Sequence, residues 1–414
     1  MFVYHRFSFI VAICFSSIGI FNLSLPSAHA VVLGEHPKLT AIAEDLVHQE
    51  LYTMDELEKI FAHAEFKQSV LDAIQRPAEY SLTWGRYRQI FLKQDRIEQG
   101  AAFWREHQST FDRAEKEFGV PASMIAAIIG VESKFGKFKG AHRVIDSLVT
   151  LTTGFPRRSA FFGSELKEFL ILTKQNKIDP ISIYGSYAGA VGYPQFISSS
   201  YRNYAVDFSG DGVTDLINQP VDAIGSIANY FIENGWKPGQ PVSSRGFHRL
   251  DVRLVEIANR KRKTPFTAAD LREKGAHLDE SIDNDQAFNV LMLDASDRKK
   301  FKIKSDSYIV RAGDTVCQIA EAHKVSCDSL RALNKLNAKG DIFRDQRLKI
   351  PTGASSPASQ APEQDQLIPR YFYTYPNFYA ITRYNQSVLY AMAVYELSEA
   401  IAQAKNEADQ ANGL

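Results

Sequence analysis

Apolar residues recur at three- and four-residue spacing through most of residues 31–297, the pattern of helices that bury one face. Met124, Ile125, Ile128, Ile129 and Val131 belong to one such segment. It begins after Val120-Pro121, where proline suits a first turn, and stops near Gly136. Further helices are predicted over residues 160–174, 220–234 and 386–404. Between about 253 and 293 the pattern is mixed: Val252-Arg253-Leu254-Val255 reads as strand, residues 268–274 as a short helix. A basic run, Arg298, Lys299, Lys300, Lys302 and Lys304, then introduces a compact unit that ends at Pro351. Residues 352–366, rich in Ser, Ala, Gln and Pro, read as a flexible linker. Beyond it the chain turns aromatic, with Tyr371, Phe372, Tyr373, Tyr375, Phe378, Tyr379, Tyr384 and Tyr390. That density is too apolar for a solvated tail, so the segment is predicted to fold back onto the first domain, which makes the compact unit an insertion.

The first thirty residues are of another kind. His5 and Arg6 precede an apolar stretch over residues 7–21, followed by Pro26 and Ala28-His29-Ala30, which reads as a secretory signal cleaved after Ala30. An uncleaved anchor is the alternative, although the run is short for a span of about twenty residues. Lipoprotein processing at Cys14 is a second alternative, disfavoured by the large Ile13 before it. Removal of the signal leaves Cys317 and Cys327 in one small segment bound for an oxidising compartment, where they pair or remain two buried thiols. The 414 residues are 45% hydrophobic and 23% charged, enough for a large core and a small extra domain. Lys plus Arg equals Asp plus Glu at 48 each, so the basic excess that nucleic-acid binding uses is missing.

Two segments carry candidate chemistry. In Gly130-Val131-Glu132-Ser133-Lys134-Phe135-Gly136 a carboxylate ends a nearly all-apolar helix. Burial disfavours a charged carboxylate, and a carboxylic acid that stays protonated can donate to a glycosidic oxygen; the bland alternative is a solvated Glu in a last helical turn. In the stretch from Asp207 to Asp215, oxygen-bearing Asp207, Ser209 and Asp211 alternate, Gly212 stands sixth and Val213 seventh, the spacing that starts an EF-hand loop. Calcium is the matching ion. The twelfth position departs from that pattern, with Asn218 in place of glutamate, and a metal-free turn is the alternative.

Residues 130–136 resemble the lytic transglycosylase B family, glycoside hydrolase family 103. So do Thr83-Trp84, Tyr87-Arg88, Phe155-Pro156-Arg157-Arg158, residues 185–196, Ser199-Ser200-Tyr201, residues 207–222, Asn229-Tyr230-Phe231, residues 376–379 and Arg383-Tyr384-Asn385. The blocks keep the family's order. The resemblance implies an α+β, mainly α fold: a lysozyme-like helical catalytic domain, residues 31–297 and 367–414, with a calcium-loop subdomain and an inserted βααβ module. It implies that Glu132 alone is acid and base. Glu132 protonates the oxygen joining N-acetylmuramic acid to N-acetylglucosamine, the muramic 6-hydroxyl captures the sugar centre, and a 1,6-anhydro product leaves. It further implies that Ser186 bonds near the catalytic centre and that Gln195 and Phe196 line saccharide subsites. Tyr87, Tyr230, Tyr384, Asn385 and Tyr390 match cleft-lining positions, and Arg157 and Arg158 are candidates for acidic peptide stems or the lactyl carboxylate. Each tyrosine by itself reads as core rather than cleft. The calcium loop of the family closes on an aspartate, here Asp222.

Residues 305–351 resemble a LysM module, a class that binds N-acetylglucosamine-containing glycans: Tyr308-Ile309-Val310, Gly313-Asp314-Thr315, helices near Ile319 and Leu330, then Arg347-Leu348-Lys349-Ile350. Together the resemblances imply a periplasmic enzyme of peptidoglycan, with other cell-wall enzymes as candidate partners. A muramidase and a non-catalytic wall-binding protein are the competing functions. The first needs a second placed carboxylate, and the second would not need Glu132.

Overall fold

A computed structural model describes residues 31–75, 82–245, 258, 266–274, 278, 282–293, 305–310, 314–323, 325–337, 341–343, 346–351 and 370–411. The proposed signal, the strand-like Val252–Val255 stretch, the basic run at 298–304 and the linker lie outside these residues. The described residues fall into two compact units, one within Met1–Leu82, Arg86–Gly239 and Ala380–Leu414, the other within Thr83–Gly85 and Gln240–Tyr379.

The first unit is helical. At its centre lies the helix Ala122–Ser133, in which Met124 through Ile129 are all nearly or fully sealed from solvent, as befits a helix that is apolar on every side. Glu115 starts it by accepting from the Ala122 amide at 3.1 Å. It packs against Gln94–Glu106 and the long helix Val388–Ala411. Gly130 lets the following turn fold close onto the helix: a Cβ there would stand 2.6 Å from Cζ of Phe135. Truncating a buried isoleucine such as Ile128 to alanine would cost about 2–5 kcal/mol. A second layer pairs Val144–Gly154 with Ser159–Gln175, and Pro37–His48 packs on both.

Helices predicted at 160–174 and 220–234 appear as Ser159–Gln175 and Pro220–Glu233. The last helix runs to Ala411, beyond the predicted 404. Its apolar stripe ends early, but Gln403–Glu407 and Lys405–Asp409 contacts at four-residue spacing carry it onward at 2.8 and 2.6 Å.

The second unit contains a four-stranded antiparallel sheet in the order Ser243–Arg245, Arg370–Thr374, Ala287–Leu293, Phe266–Thr267. Val290 lies opposite Tyr373 and Met292 opposite Tyr371. Phe288, Val290, Met292, Tyr371 and Tyr373 form one buried core with Tyr375. The aromatic segment thus pairs with strands that lie within residues 31–297. Tyr371, Tyr373 and Tyr375 alternate with period two and bury one strand face, whereas only Tyr384 and Tyr390 belong to the helical unit. In sequence, the first part of the helical unit ends at Gly239.

The small βααβ segment pairs Ser305–Ile309 with Arg347–Pro351 around helices Val316–Ala322 and Cys327–Leu333. Val316, Ile319, Leu330, Leu348 and Ile350 make its core. Thr315 and Gln318 form a capping box on the first of these helices, and a disulfide joins Cys317 to Cys327, with Cα atoms 4.7 Å apart.

Candidate active site

Glu132 is the penultimate residue of the central helix and is partly exposed between buried Val131 and Ser133. The helix ends abruptly there. Lys134, Phe135 and Gly136 follow one another in left-handed backbone at φ of 50°, 59° and 79°, sterically costly for the first two. Burial of Phe135 and a hydrogen bond from the Gly136 amide to Ser133 Oγ at 3.1 Å hold the turn. The chain is thus directed away just past the carboxylate, which leaves Glu132 accessible at the end of an otherwise sealed helix.

A stack of aromatic rings from distant segments frames it. The fully buried Tyr390 donates its hydroxyl to Glu132 Oε1 at 2.6 Å. Tyr384 lies parallel to Tyr390, centroids 6.4 Å apart, and meets Tyr230 edge-on at 4.9 Å. Phe196 closes the group at 5.8 Å from Tyr384 and 5.4 Å from Tyr230. Burial, and then the Glu132 charge, push the Tyr384 and Tyr390 phenols well above their ordinary range, so both remain neutral donors. Two of these rings direct their hydroxyls into the protein. Tyr384 gives its hydroxyl to the Pro194 carbonyl at 2.5 Å and Tyr230 gives its own to the Arg383 carbonyl at 2.8 Å, because a buried phenol needs a partner inside the protein. Tyr87, also fully buried, lies 5.2 Å from Phe91 and adds to the upward push on Tyr390. Tyr87 and Tyr390 therefore back the site from within the core.

The other predicted positions are distributed around this frame. Ser186 Oγ accepts from the Ala188 and Ala190 amides at 3.2 and 3.0 Å, which folds its loop tightly and leaves its own hydrogen to donate. Gln195, itself left-handed at φ 49°, donates to the Lys139 and Gly192 carbonyls at 3.1 and 2.9 Å and ties that loop to the segment after Glu132. Asn385 is 1% exposed; its Oδ1 accepts from the Ser387 amide at 3.0 Å, and its buried Nδ2 has no hydrogen-bond partner among the described residues. Arg157 is exposed. Arg158 lies over Phe161 at 4.1 Å and Phe162 at 5.2 Å, and burial lowers its pKa. One group was missed by the sequence reading: Glu165, 4% exposed in the helix Ser159–Gln175, accepts from the Ser199 amide and hydroxyl at 3.0 and 2.7 Å. Its sequence signal is an acid at helical spacing from Phe161, Phe162 and Phe169.

A transglycosylase SLT domain model matches residues 34–312, and a LysM domain model matches residues 308–351. The chain belongs to the SLT-domain transglycosylase family. It is 31% identical to the membrane-bound lytic murein transglycosylase B of Escherichia coli K12, over 89% of this chain and 84% of that protein. The soluble lytic transglycosylase SltB1 of Pseudomonas aeruginosa is 35% identical with a TM-score of 0.68, covering 89% of this chain and all of that one at 100%. The Escherichia coli lytic transglycosylase SLT35 in complex with calcium is 29% identical with a TM-score of 0.66, covering 91% and 96%.

In this transglycosylase the loop at 207–222 has a turn held by its own carboxylates. Asp207 accepts from the Gly210 and Gly212 amides at 2.7 Å each and from Ser209 Oγ at 3.0 Å, and Gly212 takes the left-handed φ of 88° at the sixth position. Asp211 accepts from the Val213 amide at 2.8 Å. The sealed Asp222 reaches back to the Ser209 and Asp215 amides at 2.8 and 2.9 Å, so the closing aspartate belongs to the same loop. Among the described residues no three His, Cys, Asp or Glu side chains converge into a metal cage. The oxygen-only donor set nevertheless fits a hard cation such as calcium.

Proposed function

We propose that Glu132 is the single acid and base of a peptidoglycan lytic transglycosylase. The observation that carries this reading is the hydrogen bond from Tyr390 to a partly exposed carboxylate at the end of a buried helix. Glu132 as the acid gives its proton to the oxygen between N-acetylmuramic acid and N-acetylglucosamine, and the bond from the muramic C1 to that oxygen breaks. The muramic 6-hydroxyl then bonds to C1, and its proton returns to the Glu132 carboxylate. Tyr390 suits both stages: a phenol donates to the carboxylate and its oxygen can accept from the acid. Mass analysis of products from purified sacculi tests the reaction. Products ending in 1,6-anhydromuramic acid support it, whereas reducing ends that carry an added water identify a muramidase.

Around this centre, Ser186, Gln195, Phe196, Asn385, Arg157 and Arg158 serve the glycan and its acidic groups, with Tyr87, Tyr230 and Tyr384 behind them. The 207–222 loop takes calcium through Asp207, Ser209, Asp211, the Val213 carbonyl and Asp222. This rests on the loop spacing, the closing position of Asp222 and the calcium complex of SLT35, and the ion acts on stability alone. Residues 305–351 hold the enzyme to the wall, with residues 352–366 as their tether, and other cell-wall enzymes are candidate partners. The protein reaches the periplasm by a signal cleaved after Ala30, where the oxidised Cys317–Cys327 pair is maintained.

A further inference from the structure

The left-handed turn that ends the catalytic helix also forms one wall of a second cleft. Its volume is about 650 Å³, and the segment Gly136–Gly140, residues 176–184 and residues 213–218 enclose it. No residue assigned to the reaction lies on it; of the calcium loop's proposed ligands, Val213 does. Three of its lining side chains are apolar and unusually exposed: Tyr184 at 54%, Val213 at 55% and Ile178 at 36%. Such residues ordinarily go inside, and their clustering on one concavity marks a surface that receives something.

The charge of the cleft limits what it receives. Lys137 and Lys139 bring two cations to the lining, and its one carboxylate, Asp215, is turned into its own loop, accepting from the Ile217 and Asn218 amides at 2.9 Å each. Lys139 is held over the Tyr193 ring at 5.0 Å with its ammonium on the Ile217 carbonyl at 2.6 Å, and Lys137 reaches Gln99 at 2.9 Å. These contacts are all to neutral groups, so neither lysine charge is compensated by them. Aliphatic and aromatic surface beside two cations suits a short acidic peptide with small alkyl side chains better than a neutral sugar, which favours flat rings with hydroxyl and amide partners.

We propose that this cleft binds the acidic peptide stem of the glycan strand being cut. The proposal rests on the peptidoglycan reading given above. Continuity supports it: Gly136 follows Glu132 by four residues, and Gln195 bonds both to its own loop and to Lys139. A stem on a sugar near Glu132 meets the wall formed by Gly136–Gly140, and its carboxylates meet Lys137 and Lys139. The stem then fixes which sugar stands at the acid.

The test uses the full exported chain and the double variant Lys137→Glu with Tyr184→Ala, both at exposed positions outside the catalytic frame. Initial rates are measured on glycan strands with stems and on the same strands stripped of stems by an amidase. On stem-bearing strands the variant should raise KM about fivefold, with kcat within about twofold. On stripped strands it should match wild type. Equal loss on both substrates, or no loss on the first, overturns the proposal. A free acidic stem tripeptide should also inhibit wild type on stem-bearing strands, and absence of inhibition at millimolar peptide counts against it even if the variant folds poorly. Wild type must cut stripped strands whatever this cleft does, so failure of the transglycosylase reading shows there, separately from failure of the stem site.

Discussion

Glu132 and Glu165 are two carboxylates on largely apolar helices, and each accepts a hydroxyl hydrogen bond, from Tyr390 at 2.6 Å and from Ser199 at 2.7 Å. Glu165 lies mid-helix, sealed, and caps the start of the helix Ser198–Tyr204 through the Ser199 amide. Burial pushes its carboxyl up to about 6 despite those hydrogen bonds, with the Glu168 charge adding to the rise and Arg158 opposing it. Glu132 stands at a helix end where a left-handed turn removes the following chain. A raised carboxyl is therefore not by itself a sign of catalysis: Glu165 lacks the access that Glu132 has, and access is set by where the helix stops.

The largest expected effect separates them directly. Glu132→Gln should lower turnover at least about a thousandfold by removing the transferable proton, while Glu165→Gln should remain within about threefold, as measured by release of anhydro products. Comparable losses in both would dissolve the distinction. Next comes the phenol: Tyr390→Phe removes a hydrogen bond to a charged group worth about 1.5–3 kcal/mol, so kcat should fall about tenfold or more with a displaced pH profile. An unchanged profile would make Tyr390 mere packing.

Glu165 should instead govern stability. Its folded-state pKa, about 6, is above the ordinary 4.5, so the native state holds the proton more tightly. The resulting stabilisation is complete below pH 4.5 and is lost as pH rises through 6. Relative to Glu165→Gln, wild type should lose about 2 kcal/mol between pH 4 and pH 7 in denaturant titrations. Equal pH dependence in the two proteins would remove Glu165 as the cause.

The 207–222 loop extends the contrast to carboxylates that are exposed and satisfied by backbone. Asp207 and Asp211 lie below the usual carboxylate range: amide donors lower Asp207 against a desolvation cost, and the Gln219 amide leads the lowering of Asp211. Wild type in calcium at a hundred times its dissociation constant should gain about 2.7 kcal/mol, seen as a higher Tm, and Asp207→Ala with Asp211→Ala should abolish that gain. Identical melting with calcium and with chelator leaves only a turn. The smallest effect is expected from replacing residues 305–353 with a Gly-Ser connection: sacculus binding should fall, and cleavage of soluble oligomers should stay near wild type in a variant shown by melting to be folded.

Much of the helical unit was legible because helix-period burial is written locally: Ile125, Ile128 and Ile129 announce the central helix, and Pro121 and Gly136 its limits. For the aromatic segment, composition shows that Tyr371 and Tyr390 are both buried but not that one serves a strand face and the other a helix. Glu132 was found through its surrounding motif. Tyr390 was matched as cleft lining, but its bond to Glu132 spans 258 residues and no periodicity records it. The carbonyl partners of Tyr230 and Tyr384 have no signature, because every residue carries a carbonyl.

The sequence by itself determined the residue types and their local order: an all-apolar helix ending in a carboxylate, an oxygen-rich loop with glycine sixth, and two cysteines ten residues apart. Tertiary structure decided which carboxylate faces out, which phenol meets it, and where Lys137, Lys139 and Tyr184 share a cleft. The physical reason is range. Backbone propensity and hydrophobic period act over a few residues, whereas a hydrogen bond or a desolvated charge depends on whatever atoms packing brings within a few ångströms, however far apart they lie in the chain.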